Sequence, residues 1–152
     1  MKIVKHKGET WQYVLNDVEA GLLKQLLKNF PFTGNVPVKI SKTGSDPKSI
    51  EREKLLNESL AEHRKELKTQ AAGLVSSEKL KPGEKGNMLI LTGDEREILL
   101  QILNDIRVGC WRALGKPEAL ELHMPRKSKP AQAHQHLMDL AGFFEHHLLG
   151  LP

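Results

Sequence analysis

Asn104, Asp105, Arg107, Cys110 and Trp111 crowd into "LNDIRVGCW", at the centre of the most apolar stretch of the chain, "EILLQILNDIRVGCWRALG". Three kinds of chemistry are open to such a set. Asp105 and Arg107 could form an acid/base pair, or Arg107 alone a small anion site. Cys110, the only cysteine, could act as a nucleophile or redox centre. Trp111, four residues beyond Arg107, could stack on its guanidinium.

Helical spacing weighs against convergence. Leu99, Ile102, Leu103, Ile106, Cys110 and Ala113 fall within an arc of roughly 100°, which Leu100, Trp111, Leu114 and Ile98 widen to roughly 220°. A helix with so broad an apolar face touches two neighbouring layers and is the central one. Arg107 lies inside the widened arc, so it must find acceptors or emerge at an edge. Asp105, about 200° of rotation away, cannot be its partner. Arg107 needs a partner from another element, with Asn104 placed to help hold it, while Asp105, on the opposite flank, could meet a different element or simply water. Cys110 falls on the core stripe, where a cysteine behaves as a small hydrophobe of raised pKa.

Metal chemistry finds little support. Five of the seven histidines, His123, His134, His136, His146 and His147, lie in the last 30 residues, but on a helix His134 and His136 point about 160° apart and His146 and His147 about 100° apart. No H-x-x-x-H pair and no second cysteine completes a zinc site. No metal and no cofactor is expected. "PRKSKP" supplies Arg126, Lys127 and Lys129 as a short basic loop, without the interleaved aromatics of a nucleic-acid surface. Phosphate-binding glycine turns and nucleophile elbows are absent from the sequence.

The elements that position these residues can be read from caps and periodicity. The start alternates around "KGE" with Trp11, Tyr13 and Leu15 on one face, which predicts a β-hairpin with Gly8 in its turn. Asn16 and Glu19 form a capping box for a helix over about residues 17 to 30. Residues 31 to 49 read as a long loop with a short extended piece at Val36 to Ile40, and Asp46-Pro47 as a helix start. The helix that follows carries Leu56, Leu60, Leu67, Ala71 and Leu74 in a narrow stripe between charged flanks, so residues 50 to 75 would lie on a bundle surface or pair with a second copy. "SSEKLKPGEKGN" ends it, and "MLIL" at 88 to 91 reads as a short strand able to join the hairpin. Thr92 and Glu95 cap the helix that bears LNDIR, and Gly115 closes it. Leu137, Leu140, Ala141, Phe144 and Leu148 mark the last helix.

With 152 residues, 39% hydrophobic and 28% charged, the chain is expected to fold as a single domain spanning residues 1–152. One cysteine and no apolar leader point to a reducing, cytoplasmic setting, and no apolar run is long enough to span a membrane. Residues 1 to 86 hold 16 Lys and Arg against 11 acids, residues 87 to 152 hold 7 against 8. That surplus is modest beside the density of a duplex-DNA binder.

Taken together, "LNDVEAGLLKQLL", "LTGDEREILLQILNDIRVGCWRALG" and "HLMDLAGFFEHHLLGL" resemble the bacterial family called domain of unknown function twenty-seventeen, small helical proteins common in actinobacteria. LNDIR followed by Leu114-Gly115 is the most specific part of the likeness. The family brings no catalytic residues to carry over. Its members are often encoded near the adaptor of the Clp protease, which implies regulation or protein quality control. Phe143, Phe144 and the histidines depart from the family's closing helix, which tends toward Tyr and Trp.

The expectation is therefore a mainly α fold of the α+β kind, four helices with a small N-terminal antiparallel hairpin that a third strand can join. Its role would be that of a non-catalytic regulatory or protein-interaction module with a protein partner, and a homodimer through the 50–75 helix. A nucleic-acid-associated regulator, or an enzyme or anion-binding protein using Arg107, are the alternatives.

Overall fold

The computed structural model describes residues 1–32 and 47–150, with the backbone alone at His123. The extended piece expected at Val36 to Ile40 and the cap expected at Asp46 lie outside the described residues. The alternating N-terminus forms β1 (Lys2–Lys7) and β2 (Thr10–Leu15), joined through Gly8, whose φ of 61° gives the turn the hand that strand twist requires. Tyr13 and Leu15 are fully buried and Trp11 packs against the core, all on the face that alternation predicted.

The sheet is larger than expected. Among the described residues it has four antiparallel strands, with β3 (Leu80–Gly83) and β4 (Gly86–Thr92) added to the hairpin in the order β1-β2-β4-β3, not a hairpin with one added strand. β4 (Gly86–Thr92) contains the predicted MLIL run and pairs with β2 from Asn87 to Thr92. The additional strand is β3 (Leu80–Gly83), within the segment read as a helix-ending linker. Four residues show no lasting alternation, and Pro82 is tolerated because β3 is an edge. Gly86 closes the β3–β4 turn at φ 126°, and a Cβ there would meet the Leu15 carbonyl oxygen at 2.9 Å, so only glycine fits.

One face of the sheet carries the helices. α1 (Asp17–Asn29) starts on a reciprocal capping box: Glu19 N–H donates to Asn16 Oδ1 at 2.8 Å and Asn16 N–H to Glu19 Oε2 at 3.0 Å. α2 (Pro47–Leu74) buries Leu67, Ala71 and Leu74, whereas Leu56 and Leu60, on the same stripe, are 38% and 40% exposed. α3 (Gly93–Ala113) opens on the Thr92/Glu95 box. It closes with Lys116 N–H donating to the Trp111 carbonyl and Gly115 N–H to the Arg112 carbonyl, both at 3.0 Å, with Gly115 at φ 85°. This is the Schellman arrangement, and it satisfies two carbonyls that the helix end would leave orphaned. A 3₁₀ turn (Glu121–His123) leads to α4 (Lys129–Leu148), capped by Ser128 Oγ, which accepts from Ala131 N–H at 3.2 Å.

α3 is central, as its wide apolar arc implied. Leu99, Ile102, Leu103, Ile106 and Cys110 are buried, and α3 packs most extensively on α4, with α2 and the sheet also in contact. A single cluster joins these residues to Ala141, Phe144 and Leu148 of α4, Leu23, Leu26 and Leu27 of α1, and the inner face of the sheet.

Candidate functional site

The two charges of LNDIR point to different helices. Arg64 of α2 donates from Nε to Asp105 Oδ2 and from Nη2 to Oδ1, each at 3.1 Å, in the two-pronged geometry that suits a guanidinium and a carboxylate. Arg107 donates from Nη1 to Glu145 Oε2 of α4 at 2.5 Å. Arg107 is about half exposed (side chain 47%) and Glu145 mostly shielded (12%). Asp105 and Arg107 thus tie α3 to α2 and to α4 and do not converge as an acid and a base must.

Arg107 nevertheless borders a cleft. Between α3, α4 and the 3₁₀ turn lies a cavity of about 530 Å³, with Val108, Trp111, Leu122 and Met138 as its apolar lining and Asn104, Arg107, Gln135 and Asp139 as its polar one. The structure therefore brings Asn104, Arg107 and Trp111 together, while Asp105 turns toward a smaller cavity of about 270 Å³ between α2 and α3, which Asn104 also borders. Trp111 does not stack on Arg107. Its indole N–H donates to the Pro117 carbonyl at 3.0 Å, fixing the ring against the chain that leaves α3. Among the described residues the guanidinium over an indole is Arg96, 4.1 Å from the centre of the Trp11 ring.

The electrostatics of the larger cleft do not suit an anion. Glu145 neutralises Arg107, and the remaining charge on the lining is Asp139, whose Oδ1 accepts from Gln135 Nε2 at 2.9 Å. Glu145 Oε1 is buried and has no hydrogen-bond partner among the described residues. Unpaired oxygen of this kind is costly, so the ion pair with Arg107 is what keeps the carboxylate tolerable there.

Cys110 is fully buried, and burial pushes its thiol up to about 11. The folded protein is expected to resist a thiol reagent at pH 8 and to react only once denaturant opens the core. Fast, stoichiometric labelling of the native protein would contradict this.

The basic loop divides among three roles. Arg126 Nη2 donates to the Glu121 carbonyl at 3.0 Å and to Gln135 Oε1 at 3.3 Å, which fastens the turn before α4. Lys127 is exposed, and Lys129 is not in the loop but is the first residue of α4, because Ser128 is the cap. Of the histidines, His147 pairs through Nδ1 with the Phe143 carbonyl at 2.8 Å, and the His146 and His147 rings meet edge to face. Among the described residues no group of three or more His, Cys, Asp or Glu is placed to hold a metal ion.

Sequence reasoning missed a polar cluster around Arg96. Arg96 donates from Nε to Tyr13 Oη at 2.9 Å and from Nη2 to the Leu148 carbonyl at 2.8 Å, and Tyr13 Oη donates to that carbonyl at 3.1 Å. Leu148 is in the last turn of α4, where carbonyls lack intrahelical donors, so the cluster completes a helix end inside the fold. Burial raises the Tyr13 phenol, and its hydrogen bond to Arg96 and the guanidinium charge partly offset that. The signal was present: Arg96 precedes Leu99 and Leu100 by three and four residues and so stands on the apolar face.

No family model, curated protein or solved structure matches this chain.

Proposed function

We propose that this chain is a non-catalytic, regulatory protein-interaction module that receives an apolar segment of a partner protein in the cleft between α3 and α4. The observation that carries this reading is the cleft lining: an apolar part of Val108, Trp111, Leu122 and Met138 beside a guanidinium already neutralised by Glu145. Apolar concavities with a few polar groups are where proteins take ligands. The chain flanking the cleft adds to it, since Leu120 is 89% exposed and Met124 60%, and Met124 lines the adjoining concavity with Leu122 and Gln135.

Met138→Arg tests the proposal, since a half-buried arginine can send its head to solvent while blocking the cleft. In affinity capture from a lysate of the native host followed by mass spectrometry, the wild type is expected to retain a specific protein that Met138→Arg loses, at unchanged unfolding midpoint. Identical capture by both would sink the reading. A second reading, self-association through α2, is favoured by Leu55, Leu56 and Leu60, which stand 60%, 38% and 40% exposed on its N-terminal half.

A further inference from the structure

The face of the sheet turned away from the helices is a second surface, with a composition of its own. Cross-strand pairing places Lys2, Val14, Met88 and Lys81 in one row across all four strands, and Lys5, Gln12 and Ile90 in the next. Val14, Met88 and Ile90 are half-buried, yet they are not part of the core cluster on the other face. Lys7 pairs with Thr10 and continues the lysine series along β1, every residue of which is exposed. None of the four strands contains an acidic residue.

We infer that this face docks an acidic amphipathic helix of a partner protein, laid along β2 and β4 between the lysines of β1 and Lys81 of β3. Strands lie about 4.8 Å apart, so the two edge strands are about 14 Å apart, and an α-helix with its side chains is about 10–12 Å wide. A helix there sets its apolar stripe on Val14, Met88 and Ile90 and brings carboxylates on both flanks to the lysines. Electrostatic complementarity of this kind fixes orientation and excludes basic partners. Nucleic acid fits less well, because the aromatic residues of the sheet, Trp11 and Tyr13, lie on the opposite face and leave no base a stacking platform. An anionic membrane also fits less well, since Val14, Met88 and Ile90 are each half-buried and offer little apolar surface to insert.

The test is amide chemical-shift mapping of the ¹⁵N-labelled full chain with a synthetic helical peptide of about 18 residues, long enough to follow a strand. Its leucines are spaced i, i+3, i+4 and i+7, with glutamates on both flanks. Shifts are expected at Val14, Met88 and Ile90, with binding weakened about tenfold in Lys5→Glu/Lys81→Glu, two exposed positions whose change leaves the circular dichroism spectrum intact. The same peptide with lysine flanks is expected not to bind. Absence of shifts at about 1 mM peptide, equal binding of the lysine-flanked peptide, or shifts centred on the α3/α4 cleft would overturn the inference. So would tighter binding at these residues of a single-stranded oligonucleotide or of anionic vesicles. Met138→Arg is expected to bind the peptide normally, which separates this surface from the cleft.

Discussion

Arg107→Ala is expected to lower the unfolding free energy by about 2–3 kcal/mol in urea titrations, less than the 3–5 kcal/mol of a wholly buried pair because Arg107 is half exposed. The cost arises at Glu145. Without the guanidinium, a carboxylate that is mostly shielded, with one oxygen already lacking a partner among the described residues, loses its remaining compensation. Glu145→Leu in the same background should recover most of the loss, since an apolar side chain of similar size needs no partner. An Arg107→Ala variant as stable as wild type would show that the pair does not hold the helices.

Phe144→Ala is expected to have the largest effect of any single change discussed, about 3–5 kcal/mol, because it opens a void among side chains that cannot collapse into it. Phe144 is completely buried in the core, while its neighbour Phe143 is 37% exposed and meets it edge to face at 5.3 Å. Phe143→Ala should therefore cost far less, about 1 kcal/mol or below. Thermal or urea unfolding of the two variants checks the contrast, and equal losses would contradict the placement of α4. The comparison matters because these are adjacent residues of one type, distinguished only by which side of α4 faces α3.

What could be read in advance was local. Both capping boxes and the Gly115 closure depend on residues a few positions apart, and each is found as its residue types require. The rotation of about 200° between Asp105 and Arg107 likewise implied that the two charges face different neighbours, with a partner from another element required for Arg107. Their identity was hidden by distance: Arg64 is 41 residues from Asp105, and Glu145 is 38 from Arg107. Arg96 stands on the apolar face by spacing, but its acceptors lie far away in sequence, the Tyr13 hydroxyl 83 residues off and the Leu148 carbonyl 52. β3 escaped because a four-residue edge strand with a proline has too little pattern to show. The stripe of α2 was legible, but periodicity does not reveal how much of a helix its neighbours cover. The cleft is likewise a product of packing, since Trp111, Leu122 and Met138 come from three separate elements.

The charges at the heart of α3 are two ties to two helices, Asp105 to Arg64 of α2 and Arg107 to Glu145 of α4. Three double-mutant cycles by urea unfolding test this most directly: Arg107 with Glu145, Asp105 with Arg64, and Asp105 with Arg107. Substantial coupling in the first two cycles and additivity within about 0.5 kcal/mol in the third is the predicted result. Coupling between Asp105 and Arg107 that exceeds either of the others would contradict the account, because the two residues would then act as one site.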